Sequence, residues 1–246
     1  AEVPLMEPVG RLILGTCEIT RSPAAVAIDH LERALEIAAS IELPPSTSAL
    51  EPDLLAFVHA TLGLALAVGG RFDEAAAQLL AARARAFAGG HAPTCILVLA
   101  LSTIALSLMT AYEKTLEWGR EALALAEGRG FHTSEAQAHA MLGRARVALG
   151  EPAGLAEAEA GLAQAIEVGF RGGLCHYIEA AAEANQLAGR YERAHQLLDL
   201  AQRTYEATGE ATFAGRVHRS RGMVYLGERK HEMAEAELRA ALGPLE

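Results

Sequence analysis

Small and apolar residues return along this chain in a fixed cadence. Around Ala75, Leu79 and Ala82 follow at +4 and +7, and Gly63 stands twelve residues before it. The same frame recurs around Ala27 (Leu31, Ala34, Gly15), Ala194 (Leu198, Ala201, Ala182) and Ala234 (Leu238, Ala241, Gly222). Two copies are looser. Thr115 takes the anchor place before Gly119 and Ala122, with Thr103 upstream. Ala158, Leu162 and Ala165 match, but Gly143 lies fifteen residues upstream, so three residues are inserted. In a helix the +4 and +7 positions share the anchor's face. The frame therefore predicts two antiparallel helices per unit, closed up where small residues meet.

Six anchors at 27, 75, 115, 158, 194 and 234 are spaced by 36 to 48 residues, the range of helical solenoids. First helices are predicted over about 5–20, 52–69, 93–109, 133–149, 172–188 and 211–226. Second helices are predicted over about 23–40, 72–86, 113–127, 154–167, 191–207 and 231–242. The expected fold is all-α: a right-handed α-α superhelix of about six hairpins (5–40, 52–86, 93–127, 133–167, 172–207 and 211–242) in one repeat domain over 1–246. One hairpin cannot bury its apolar stripe alone, so neighbours stack and the stack is the core.

Turn chemistry agrees with the cadence. "GRF" at 70–72 and "GRY" at 189–191 place a glycine where a helix ends and an acidic residue near the next helix's start. Ser22-Pro23 and Pro52 are read as helix openings, and "TSEAQ" at 133–137 as an N-cap with Gln three residues on. Gly128, Gly130 and Gly169 are read as unit closures, and "IELPPSTSALEP" from Ile41 as a long loop.

Composition narrows the picture. Alanine dominates, aromatics make up 5%, and 21 Lys plus Arg face 31 Asp plus Glu for a net charge of −10. That sign argues against a nucleic-acid track. Lys114 and Lys230 are the only lysines, and neither follows a glycine, so no phosphate-cradling Gly-x-x-x-x-Gly-Lys loop exists. Cys17, Cys95 and Cys175 stand too far apart in sequence for a metal or disulfide framework, which points to a reducing, cytoplasmic compartment. No apolar run reaches membrane-spanning length. The opening "AEVPLMEPVG" has neither an initiator Met nor the order of a signal peptide, so the chain reads as a piece of a longer protein and its final Leu-Glu as a cloning remnant.

Gly63, Leu66, Ala75, Leu79 and Ala82 have the layout of a tetratricopeptide repeat, in units longer than the usual ~34 residues. The tail "AGRYERAHQLLDLAQRTYEATGEATFAGRVHRSRGMVYL" resembles the end of the tetratricopeptide-like region of large bacterial signalling ATPases related to nucleotide cyclases and to LuxR- and MalT-type transcriptional regulators. "HATLGLALAVGGRFDEAAAQLL" and "WGREALALAEGRGF" are similar to earlier parts of that region. The resemblance implies a sensor or scaffold arm that binds a protein or other inducer and passes the event to domains elsewhere. Thr115, Gly119 and the insert before Ala158 depart from the pattern and bear on the regularity of the middle repeats.

Nothing in the sequence points to catalysis, a cofactor or a resident metal. Cys175-His176 has no second ligand pair at metal spacing, His139 in "HAMLGRAR" reads as an interhelix residue, and Trp118 reads as packing. Tetratricopeptide arrays use positions 2, 5, 9 and 12 of each first helix to line a groove. That frame selects Phe57, Leu64, Leu97 and Ile104 as an apolar front, and Gln137, Arg144, His176, Glu179, Glu183, Arg216 and Arg219 as a charged back. An apolar stripe suits a partner helix, with the charges setting register. The alternative is that neighbouring repeats, missing upstream sequence or self-association fill the front. The leading expectation is a non-enzymatic protein- or peptide-binding module. A small-molecule sensor with a closed pocket lined by Phe57, Leu64 and Ile104 is the other.

Overall fold

The anchor cadence builds helices with small residues at every crossing, and the computed structural model describes residues 6–41 and 52–243. Among the described residues twelve helices run in order: α1 (Met6–Arg21), α2 (Ala24–Ser40), α3 (Leu54–Val68), α4 (Phe72–Gly89), α5 (Ala92–Leu108), α6 (Tyr112–Ala126), α7 (His132–Ala148), α8 (Gly154–Glu167), α9 (Leu174–Leu187), α10 (Tyr191–Thr208), α11 (Phe213–Gly227) and α12 (His231–Leu242). They are the predicted first and second helices, with ends shifted by at most a few residues. Most of the loop predicted from Ile41, the first five residues and the final Leu-Glu lie outside the described residues.

The frame residues are the crossing points. Ala27, Ala75, Thr115, Ala158, Ala194 and Ala234 are all fully buried. A Cβ at Gly63 would lie 2.6 Å from Leu79 Cδ2, one at Gly15 would lie 2.6 Å from Leu31 Cγ, and one at Gly222 would lie 2.8 Å from Leu238 Cγ. Gly at −12 therefore receives Leu at +4 in three hairpins. Where Thr103 fills the −12 place, the +4 place is Gly119, and both are buried. The looser third copy puts its smallest residue at +4 instead of −12. In the fourth, the insert brings Gly143 against the backbone of Ala158 itself, and Gly154 and Gly161 meet α7 as closely. Both departures are alternative packings of one crossing, and the helices remain regular.

The chain divides into two compact units, Ala1–Glu135 and Ala136–Glu246. In the first, hairpins α1–α2, α3–α4 and α5–α6 stack so that α3 packs on α1 and α2 on one side and on α5 on the other. Ala56, Ala60, Ala82, Ala86, Cys95 and Val98 form a core cluster there, with Leu101 and Leu125 against it. In the second, α9 packs on α8, and α11 packs on α9 and α10.

Helix ends are more varied than the sequence suggested. Asp53, one residue after Pro52, caps α3 by accepting from the Ala56 N–H at 2.8 Å. Its own N–H donates to Thr94 Oγ1 at 2.9 Å, and Arg85 Nε donates to its carboxylate at 2.6 Å. The cap expected within "TSEAQ", three residues before Gln137, does not form: α7 starts at His132 and the Glu135 N–H already reaches the Phe131 carbonyl at 2.9 Å. The ladder thus begins a turn earlier and takes both hydroxyl residues into the helix. Gly70 and Gly189 have φ of 75° and 73°, as the turn requires. Thr110 and Arg229 hold the same place at 56° and 63° without being glycine.

Candidate functional site

In the first unit, α3 has one side toward its own second helix α4, one toward the preceding hairpin α1–α2 and one toward α5 of the following hairpin. The frame positions chosen from sequence fall mostly on the last of these. Leu64 and Ile104 are buried. So are their neighbours in the frame, Ala60, Ala67, Ala100 and Ser107. Only the first position of each set, Phe57 and Leu97, is half-buried.

A narrow apolar band is left open on the first unit. Val9 of α1, Phe57 of α3 and Leu97 of α5 occupy equivalent positions, and one helical turn further on stand Ile13, Thr61 and Leu101. Val9 and Ile13 are exposed, whereas Phe57, Leu97 and Leu101 are half-buried. Because α1, α3 and α5 lie side by side, these side chains form rungs across three helices. Ile13 and Leu101 were missed from sequence. Their signal was the same frame shifted by one turn toward the preceding hairpin.

The charged residues of the second unit meet as a network. Arg216 pairs with Glu179 through Nη2, and its Nε lies 3.3 Å from Glu179 Oε1. Arg219 Nη2 donates to Glu183 Oε1 at 2.7 Å and lies 3.7 Å from Glu179. Arg144 pairs with Glu183 from the α7 side. Ser220 Oγ stands 3.5 Å from Glu179 Oε1, and Tyr177 OH donates to Gln137 Oε1 at 3.4 Å. The network runs α7–α9–α11 through side chains that are mostly inside: Glu179 is 3% exposed, whereas Arg219 is 50% exposed. Buried charges persist only when paired in this way.

Burial and the Arg216 guanidinium hold the His176 pKa well below its ordinary 6.5. Arg216 Nη1 lies 3.2 Å from His176 Nδ1. A guanidinium only donates, so Nδ1 accepts and the imidazole is neutral. The ring also stands edge-on to Phe213 at 4.7 Å, and Arg216 lies over that same Phe213 at 4.9 Å. Burial works against the Glu183 carboxylate, but Arg144 and Arg219 outweigh it and lower its pKa.

The remaining candidates are structural. His139 Nδ1 lies 3.2 Å from Glu157 of α8, which Arg146 also holds at 2.7 Å. Trp118 is 4% exposed with Arg83 5.5 Å from its ring centroid. Burial raises the Cys95 and Cys175 pKa values, which keeps both thiols protonated. Among the described residues no group of three His, Cys, Asp or Glu could hold a metal ion, and no helix is long and apolar enough to cross a membrane. A cleft of about 340 Å³ is bordered by Ile166, Phe170, Arg171, Leu174 and Arg203, side chains of the second unit and not the Phe57, Leu64 and Ile104 set.

No protein-family description matches the sequence, and no curated protein matches it. Among solved structures, the crystal structure of aspartyl phosphate phosphatase F from Bacillus subtilis is similar, with a TM-score of 0.69 at 14% identity. The match covers 98% of this chain and 60% of that one, so the chain spans about 60% of its neighbour's length. At that identity the likeness establishes a shared tetratricopeptide-like helical-repeat fold.

Proposed function

We propose that the chain is a non-enzymatic scaffold that binds a protein or peptide, as a cytoplasmic sensor arm of a bacterial signalling or transcriptional regulator. The observation that carries this reading is the apolar band of Val9, Ile13, Phe57, Leu97 and Leu101 across three adjacent helices. An amphipathic helix or apolar peptide has side chains spaced to follow such rungs. Arg219, half-exposed at the end of the ion network, is the charged contact this reading assigns to the second unit. The resemblance of the tail to large signalling ATPases supports the regulatory context, and the helical-repeat fold is compatible with it. The neighbour's name describes chemistry on aspartyl phosphate, and the proposal here is that this chain recognises and does not turn over.

A peptide-display selection against the wild-type protein tests it, repeated on Phe57→Asp/Leu97→Asp and on Arg219→Glu. Enriched peptides should share apolar residues at helical spacing and lose at least about tenfold in affinity for the Phe57/Leu97 variant, the worth of ~1.4 kcal/mol. Binders indifferent to both variants would overturn the site. Hydrolysis of an acyl phosphate by this chain above its spontaneous rate would overturn the non-enzymatic reading.

A further inference from the structure

The cleft of the second unit brings apolar walls and cations together. It is bordered by Ile166 at the end of α8, Phe170 and Arg171 in the turn that follows, Leu174 at the start of α9, and Arg203 and Thr208 on the last turns of α10. Ile166 is 51% exposed, and Phe170 and Leu174 are half-buried. Phe170 is braced by the buried Tyr177, whose ring stands edge-on at 5.4 Å. At about 340 Å³ the cleft has the size of a small ligand site, and such sites are mostly apolar with a few placed polar groups.

The polar groups here are two guanidinium groups without an acid. Arg144, Arg146, Arg216, Arg219 and Arg221 of the same unit are each held by a carboxylate. Arg171 and Arg203 are exposed, and among the described residues neither has a carboxylate within ion-pair reach. No acidic side chain lines the cleft. Glu206 of α10 and Glu210 beyond it are engaged elsewhere. Glu206 accepts from Gln202 Nε2 at 3.0 Å, whereas Glu210 accepts from the Gly173 N–H at 2.6 Å and stands 3.0 Å from Thr208 Oγ1.

Hairpin α3–α4 carries the acid that this place lacks. There the N-cap is Asp53, and its carboxylate holds Arg85 of α4 at 2.6 Å. Arg85 stands ten residues after the anchor Ala75, and Arg203 nine after Ala194. The N-cap of α9 is Gly173, which has no side chain to offer. A carboxylate for Arg203 would come from outside the chain.

We propose that this cleft binds a small amphipathic carboxylate, with its apolar body against Ile166, Phe170 and Leu174 and its head between Arg171 and Arg203. A guanidinium presents paired N–H donors that match the two oxygens of a carboxylate. The apolar body gains by leaving water. The site lies wholly in the second unit, does not use the apolar band of the first, and does not rest on the peptide-binding reading.

Titration calorimetry and methyl NMR of the protein with octanoate test this, with 1-octanol and acetate supplying each half of the ligand alone. Octanoate should bind saturably, one molecule per chain, and at least about tenfold more tightly than either half. The methyl signals of Ile166 and Leu174 should shift with that binding, and those of Ile13 and Leu101 should not. Arg171→Ala/Arg203→Ala should bring octanoate down to the level of octanol, and Ile166→Glu should weaken it at least about tenfold. All three positions are exposed, so both variants should melt with the wild type when no ligand is added. The proposal is overturned if octanoate shows no saturable binding, if octanol matches it, or if the arginine variant binds it unchanged. Shifts centred on Ile13 and Leu101 overturn it as well. A short peptide ending in leucine that outbinds octanoate would give the site to a polypeptide C-terminus, and that too overturns the small-molecule assignment.

Discussion

A single methyl group means different things at different glycines of this fold. Gly63→Ala would press on the buried Leu79 side chain, with Cδ2 at 2.6 Å and Cγ at 2.9 Å, whereas the nearest backbone atom, the Ala75 carbonyl, stays at 3.4 Å. Alanine also gains about 0.5–1 kcal/mol over glycine inside a helix, so this substitution should come out within about 1 kcal/mol of neutral. Gly161→Ala presses on backbone instead: the Ala136 carbonyl would lie 2.8 Å away and the Ala140 nitrogen closer still. Backbone has no rotamer to change, so α7 and α8 must separate, and overpacking of this kind costs about 1–3 kcal/mol. Urea unfolding should rank Gly161→Ala well below Gly63→Ala, and equal midpoints would contradict the geometry. Thr110 offers the opposite test. A β-branched residue at φ 56° is strained, so Thr110→Gly should stabilise by about 1 kcal/mol and raise the melting temperature. Gly63 was legible because it keeps the −12 place. Gly161 was not, because the insert before Ala158 moves the closest approach off the frame.

Helix positions followed from punctuation and cadence to within a few residues, but the faces did not follow as readily. Position numbers borrowed from a shorter repeat placed Leu64, Ile104 and Glu179 on an open surface, whereas the stacking of hairpins puts that side inside. A signal for the network was present in sequence. Arg144, then Glu179 and Glu183, then Arg216 and Arg219 alternate in sign on successive first helices, as charges that meet across a joint must. The energetics follow from burial. Arg216→Glu would set a second carboxylate against Glu179, which is 3% exposed, and breaking such a pair costs about 3–5 kcal/mol. Arg219→Glu changes a side chain that is 50% exposed and should leave the melting temperature much closer to wild type. Thermal unfolding of the two variants side by side checks this; equal losses would mean the network has no buried centre.

At the scale of the molecule, the two units differ in what acid does to them. The second holds a neutral imidazole at His176 and a Glu183 carboxylate lowered by Arg144 and Arg219. His176 has a folded pKa depressed well below 6.5, so as pH falls through about 6.5 the unfolded chain takes a proton that the native chain refuses. Stability contributed by the neutral ring is full above that range and is lost as pH falls. Glu183 acts in the same direction lower down: its contribution is present above the ordinary carboxylate range near 4.3 and fades as pH drops through its depressed folded value. The first unit's core cluster is Ala56, Ala60, Ala82, Ala86, Cys95 and Val98, side chains with no charge to gain in that range. Amide exchange between pH 7 and 5 should therefore show α9 and α11 losing protection before α3 and α5, after correction for the intrinsic pH dependence of exchange. In His176→Leu the fall in stability over the same interval should flatten, whatever the substitution does to stability at pH 7. A slope unchanged by His176→Leu would assign the acid response elsewhere and leave the imidazole as packing alone.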